Sequence, residues 1–271
     1  MPNRMPLPPT FTTAPNIARM YDYFLGGKEN FAADRAIAEK IVRLVPQART
    51  YARLNREFLV RAVRFLAGEA GITQFVDIGS GLPTQRNVHE VTQQIDPDAR
   101  IVYVDNDPMV LVHARALLAT DANTRVANAD LRKSSSVVGH RDVLNLIDWS
   151  KPVAVLLVAV LHFVTDTDDP RRIIGELRAA MAPGSYLVIS HVERRPEVDR
   201  AADLYRDANA PVVPRTAEEI AALLSGLDLV EPGLVRLPLW RPQELEMWPE
   251  ELDAPLLGAV GRVASLCTGG G

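Results

Sequence analysis

The stretch Gln74-Phe75-Val76-Asp77-Ile78-Gly79-Ser80-Gly81 sets the fold of this 271-residue chain. Five residues, mostly apolar and without clean alternation, form a strand that ends on two glycines, a tight turn that lets a ligand approach bare backbone. The same pattern recurs outward from it. A strand over 100–104 ends at Asp105, and Asp107-Pro108 then reads as helix cap and first helical residue. A short strand over 124–127 ends at Asn128-Ala129-Asp130. Residues 152–160 are a run of Val, Leu and Ala suited to burial on both faces. Asp169-Pro170 opens a helix carrying Ile173, Ile174, Leu177 and Met181, Pro183-Gly184 ends it, and 185–192 is a fifth strand. A helix is expected over 216–224, strand material within 229–239, and a last strand over 256–263. Strands alternating with helices predict an α/β fold with a doubly wound, Rossmann-like parallel sheet and right-handed crossovers.

Upstream, residues 16–70 are expected to be helical. Ile17, Met20, Tyr21 and Phe24 fall at helical spacing, and Gly26-Gly27 ends that helix. Ile37, Ile41 and Leu44 mark a second helix stopped by Pro46. Leu54, Phe58, Leu59, Ala62, Phe65 and Leu66 form the apolar face of a third, whose other side carries Arg49, Arg53, Arg56, Arg61 and Arg64. Residues 1–15 hold five prolines and read as a disordered leader rather than a signal peptide. The division expected is therefore leader 1–15, helical extension 16–70 and sheet domain 71–265.

Bulk composition narrows the function. The net charge is −4 and 47% of residues are apolar, which argues against a basic nucleic-acid binder. The single cysteine, Cys267, excludes an internal disulfide and suits a reducing cytoplasm; no metal site is expected. The longest apolar run, 153–161, is too short to cross a bilayer.

In open parallel sheets ligands bind at the carboxyl ends of the strands. Three such ends here carry chemistry. Gly79 and Gly81 form a turn, Asp105 is placed to accept two ribose hydroxyls, and Asp130 with the Leu131 backbone can read the amino edge of adenine. Each piece alone also suits a plain turn or a helix cap; their order and spacing together point to a nucleoside. A dinucleotide loop would want a third glycine where Thr84 stands after Pro83, and no phosphate-binding Gly-Lys-Ser/Thr loop is present. A ligand with ribose and adenine but no phosphate fits best.

The series Asp77-Ile-Gly-Ser-Gly, Asp105 and Ala129-Asp130-Leu131 resembles the motifs of class I S-adenosylmethionine methyltransferases. Residues 16–35, Arg53-Leu-Asn-Arg-Glu-Phe-Leu and Gly258-Ala-Val-Gly-Arg262 resemble a bacterial family of such enzymes long labelled as of unknown function. The resemblance covers about residues 16–263. It implies a seven-stranded sheet with the last strand antiparallel, and S-adenosyl-L-methionine as cofactor. It further implies that Asp77, Gly79, Ser80 and Gly81 surround the methionine end, with Asp77 reaching its amino group. Asp105 takes the ribose, Asn106 flanks the adenine, and Asp130 and Leu131 hold its edge. Ala159, Val160 and His162 line the site near the sulfonium.

Methyl transfer needs mainly positioning and desolvation, with a general base only where the acceptor holds a proton. His162 and, after it, His191 are the candidate bases; His89, His113 and His140 read as surface. Tyr21, Tyr23, Gly26, Gly27, Lys28 and Asn30 are an odd set for a plain helix end. They suit a segment that closes over the site, with Tyr21 or Tyr23 facing cofactor or acceptor. Arg53 or Arg56 could meet a carboxylate. The expected activity is methylation of a small molecule, with no nucleic-acid or membrane partner. A module that binds S-adenosylmethionine without turnover stands as the alternative.

Overall fold

A computed structural model describes residues 10–84, 86–118, 121–242 and 249–264. Strands β1 (Gln74–Ile78), β2 (Arg100–Asp105), β3 (Thr124–Asn128), β4 (Ala154–Val158), β5 (Tyr186–Val192), β6 (Asp228–Leu229), β7 (Val235–Arg236) and β8 (Leu256–Arg262) form one sheet. Its order is β3-β2-β1-β4-β5-β8-β6, with β7 also on β8. The pairs β1–β2, β1–β4, β2–β3 and β4–β5 are parallel, and β8 runs antiparallel to β5, β6 and β7. The expected seven-stranded path with an antiparallel last strand is present. The strand material of 229–239 differs: it splits into two two-residue strands and a 3₁₀ turn, Leu237–Leu239.

Helices flank the sheet: α1 (Thr10–Thr13), α2 (Ile17–Phe24), α3 (Ala32–Leu44), α4 (Ala48–Arg64), α5 (Val88–Gln93), α6 (Pro108–Leu117), α7 (Ser134–Val138), α8 (Arg141–Leu144), α9 (Pro170–Ala180), α10 (Pro196–Asp203), α11 (Ala217–Leu223) and α12 (Pro249–Leu252). The period of two along each strand divides the core. Phe75, Ile101, Tyr103 and Leu156 pack with Phe58, Leu66 and Trp240 on one face. Val76, Ile78, Val102 and Leu157 pack with Ile173 and Leu177 on the other. With both faces covered, the strands have no polar side, which is why their sequences do not alternate.

The helical extension is tied in by polar residues as well as apolar ones. Met20, Phe24, Ile37, Ile41, Val45 and Ala52 share a third apolar cluster with Ala201 of α10. Arg19 and Asp34 form a buried ion pair at 2.7 Å. Asp34 also accepts the Asn16 and Phe31 backbone N–H groups, so its buried charge is well satisfied. Asn16 caps α2 through the Arg19 N–H and its side-chain amide donates to Asp107, stitching the extension to the start of α6. Gly27 lies against Asp22, whose carboxylate oxygen sits 1.9 Å from where a Cβ would stand. That carboxylate accepts the Glu29 N–H and the Asn30 amide. Asn30, Gly26 and Gly27 thus build the turn between α2 and α3. The leader, expected to be disordered, is helical from Thr10 to Thr13, and Ala14 accepts a hydrogen bond from Arg19; residues 1–9 and Cys267 lie outside the described residues.

Candidate active site

A cavity of about 320 Å³ opens at the carboxyl ends of β1, β2, β3 and β4, roofed by α2, α3, α4 and α10. Its floor starts with the turn after β1. Gly79 has φ +71 and Gly81 φ +65, a conformation open to glycine at low strain. A Cβ on Gly79 would stand 2.3 Å from Val160, so close contact between the ends of β1 and β4 requires glycine there. The Gly79 and Ser80 N–H groups both donate to the Val104 carbonyl, and Asp105 accepts the Gly81 N–H at 3.0 Å. Asp105 also accepts the Asp107 N–H at 2.9 Å. The adjoining Asp107 caps α6 through the Met109 N–H, as its Asp-Pro sequence leads one to expect.

Three carboxyls on this floor have shifted ionisation. Burial pushes Asp77 up to about 7, against the attraction of Arg56 and helped by the nearby Asp105 charge. Burial also raises Asp105, against the backbone N–H groups that hold its ionised form. Asp130 goes the other way: hydrogen bonds from Arg132 keep it below the usual carboxylate range. Arg132 approaches Asp130 at 2.6 Å and its backbone N–H donates to the same carboxylate.

The end of β4 is held from below. Ala159 has φ +55, a strained conformation for a residue with a side chain. Its N–H donates to Ser190 Oγ at 2.8 Å, and Ser190 donates to Asn55 Oδ1 at 2.5 Å. The Asn55 amide donates to the Tyr21 hydroxyl at 2.9 Å, which donates to the Ala52 carbonyl at 3.1 Å. One unbroken chain of hydrogen bonds therefore runs from the β4 turn through α4 to α2.

Asp77, Gly79, Ser80, Gly81, Asp105, Asn106, Asp130, Leu131, Ala159, Val160, His162 and Tyr21 all border the cavity. Two sequence candidates do not. Tyr23 faces the other way, its ring under the Arg49 guanidinium at 4.5 Å and its hydroxyl 3.4 Å from Glu39. His191 is fully buried behind the cavity wall; its Nδ1–H donates to the Val192 carbonyl at 2.8 Å and its Nε2 accepts from Arg215 at 3.0 Å. Burial lowers His191 to about 4. With its lone pair taken by an arginine it is a poor base. His162 does border the cavity. Burial, His191 and Arg215 hold it well below the usual histidine range, so it is neutral at pH 7, and its Nδ1 is buried with no hydrogen-bond partner.

Of the other histidines, His89 is buried against the Tyr103 hydroxyl rather than on the surface, while His113 and His140 are half-exposed. Of the arginines on α4, Arg53 turns outward to Glu251, and Arg56 borders the cavity beside Asp77. Sequence reading missed Arg132, Arg215, Asn55 and Ser190, which hold their partners across 2 to 135 residues of chain. It also missed Phe163 and Tyr205, which line the cavity from the turn after β4 and from the end of α10.

The residues present fit S-adenosylmethionine. The left-handed turn approaches a ligand as bare backbone, Gly81 has open space where a Cβ would be, and Ser80 Oγ is buried without a partner. The buried carboxyl of Asp77 and the half-buried one of Asp105 border the cavity, while the turn carries no lysine to meet a pyrophosphate.

A mixed, doubly wound sheet with this strand-end site defines a class I methyltransferase. The S-adenosyl methyltransferase family model matches residues 8–264, and the chain belongs to that family. A candidate methyltransferase from Thermobifida fusca YX is 45% identical, with a TM-score of 0.89; the match covers 97% of this chain and 100% of that one. A DUF574 family protein from Streptomyces avermitilis is 38% identical, with a TM-score of 0.86, covering 93% and 98%. Human N-acetylserotonin methyltransferase in complex with SAM shares the fold at 14% identity and a TM-score of 0.50, covering 93% of this chain and 63% of that one. No curated protein matches. The protein is an S-adenosylmethionine-dependent methyltransferase acting on a methyl acceptor; family and fold favour the enzyme over a module that only binds the cofactor. No helix among the described residues is long and apolar enough to cross a membrane.

Proposed function

We propose that the β1–β3 half of the cavity holds S-adenosylmethionine and the β4–β5 half holds a small-molecule acceptor. The observation that carries this is the convergence of the Gly79–Gly81 turn with two carboxyls, the buried Asp77 and the half-buried Asp105, at one strand-end cavity. The bound cofactor supplies an electrophilic methyl carbon on a sulfonium. Asp105, already fixed by two backbone N–H groups, keeps lone pairs for ribose hydroxyls. Asp77 offers a carboxylate to the amino group, and Asn106, Asp130 and Leu131 border the adenine end. Asp130 is also bound to Arg132, so its reach is shared.

Ala159 and Val160 shape the floor between the two halves. His162 is the candidate base among the described residues; its environment weakens it, so it takes a proton only as methyl transfer acidifies an acceptor hydroxyl. Residues 16–70 serve as an extension whose Tyr21 walls the site and keeps water out, with the sheet domain from 71 onward. The single cysteine and the bacterial source of the two similar relatives support a bacterial, cytoplasmic enzyme, and the net charge of −4 supports the lack of a nucleic-acid partner. A thermal-shift titration tests the cofactor assignment. S-adenosylhomocysteine is expected to raise the melting temperature, by an amount that grows with the logarithm of its concentration above the dissociation constant, and NAD to leave it unchanged. A shift with NAD alone would refute it.

A further inference from the structure

We infer that the acceptor is an uncharged, ring-bearing, largely apolar molecule. This rests on the division of the cavity proposed above and adds the chemistry of its second half. Charged side chains lining the cavity gather on one side. Asp77, Asp105, Asp107, Asp130 and Arg132 sit at the ends of β1, β2 and β3, and Arg56 on α4 is near enough for its charge to act on Asp77. Among the described residues the one other charged lining residue, Asp22, spends its carboxylate on the Glu29 N–H and the Asn30 amide.

Beyond the end of β4 the lining carries no ionised group among the described residues. Ile41 comes from α3 and Val45 from its C-cap, Tyr51 from α4, Ala201 from α10, and Phe163 and Tyr205 from the turns that follow β4 and α10. Along α10 and the turn after it, Val198, Ala201, Ala202 and Tyr205 fall at i, i+3, i+4 and i+7, so one helical stripe faces the cavity. His162, Phe163 and Tyr205 continue it as a wall of rings, with centroids 4.5 Å and 6.3 Å apart. Such a wall favours offset or edge contact with another ring.

An ion entering this half would lose its water and meet no ionised side chain on the described lining, at heavy cost; Arg215, behind His162, is spent on Asp166 and on the Leu161 and Val164 carbonyls. His162 cannot supply a counter-charge: half-buried with its Nδ1 out of solvent, it is held neutral by desolvation, His191 and Arg215. Its partnerless Nδ1 adds a polar group whose bonding a neutral acceptor can complete, directly or after a small shift of the ring. The half is further enclosed where the Ile17 N–H donates to Asn209 at 2.8 Å, joining the start of α2 to the chain after α10.

The test uses the full chain saturated with S-adenosylhomocysteine and three probes of one shape: 1-naphthol, 1-naphthoate and 1-naphthylmethylammonium, each followed by equilibrium dialysis. The neutral probe is expected to bind one to one, and each charged congener at least about tenfold more weakly, from the uncompensated burial of its charge. Ala202→Glu is expected to keep S-adenosylhomocysteine binding, which shows that it folds, and to weaken 1-naphthol about tenfold or more. Binding of either charged probe as tightly as 1-naphthol, or no binding of 1-naphthol to the loaded protein, would overturn the inference. Protein that takes up no S-adenosylhomocysteine would instead refute the cofactor assignment. The same three probes without it would still decide the charge preference of the apolar half.

Discussion

The side-chain amide of Asn55 donates to the Tyr21 hydroxyl at 2.9 Å, joining α4 to the helix that roofs the cavity. Through Ser190 the same chain reaches Ala159, whose left-handed backbone shapes the cavity floor. Roof and floor are thus positioned by one set of buried hydrogen bonds, and burial of Tyr21 raises its hydroxyl so that it stays protonated.

Tyr21→Phe removes that hydroxyl and leaves the Asn55 amide and Ala52 carbonyl without it. The expected loss of stability is about 1–3 kcal/mol, the cost of stranding buried polar groups. Urea unfolding measures it. Tyr23→Phe, which touches only a bond of 3.4 Å at the surface, is expected to change stability by less than about 0.5 kcal/mol. Equal effects of the two would mean that Tyr21 is not part of a buried chain.

The two glycines of the β1 turn should respond differently to alanine. Gly81→Ala meets only backbone strain, since nothing stands within 4 Å of the new Cβ, and is expected to cost about 1–2 kcal/mol. Gly79→Ala adds a collision with Val160, for a further loss of about 1–3 kcal/mol. Chemical denaturation of both variants gives the order; Gly81→Ala proving the more damaging would contradict this description of the turn.

Asp77 links stability to pH. In the folded protein its carboxyl titrates at about 7; its ordinary value is 3.8. Between those values the folded state binds more protons than the unfolded state, so Asp77 lowers stability as pH rises from about 4 to about 7 and adds no further change above that. His162 and His191, lowered by burial, work in the opposite direction. The clean quantity is therefore the difference between Asp77→Asn and wild type. That difference should move in favour of the variant from pH 4 to pH 7. A difference independent of pH would show that Asp77 titrates normally.

Much of this was legible in the chain. Strands β1, β2, β3, β4 and β5 stand out because each is a short apolar run closed by a turn signal, and both faces are buried. Strands β6 and β7 do not, because two residues of ladder leave no periodicity to detect. Helix α10 was hidden by its charged residues, although Pro196 at its start and the spacing of Val198, Ala201 and Tyr205 were signals that could have found it. The strand-end acids were readable from position alone. Which histidine faces the cavity was not, since His162 follows β4, His191 lies at the end of β5, and only Arg215, far along the chain, holds His191 away. Tyr21 and Tyr23 could have been separated: two residues apart on a helix, they point about 200° apart, and one of them had to face away.

The central claim is that the turn and acids of β1 and β2 hold S-adenosylmethionine. Calorimetric titration of S-adenosylhomocysteine into wild type and Asp105→Ala tests it most directly. One-to-one binding to wild type is expected, weakened in the variant by about 1.5–3 kcal/mol, or roughly 10- to 150-fold, through loss of charge-assisted hydrogen bonds. The variant should keep the wild-type unfolding cooperativity, since Asp105 lies at a strand end and packs little of the core. An unchanged dissociation constant in a folded Asp105→Ala variant, or tight binding of NAD with none of S-adenosylhomocysteine, would contradict the assignment.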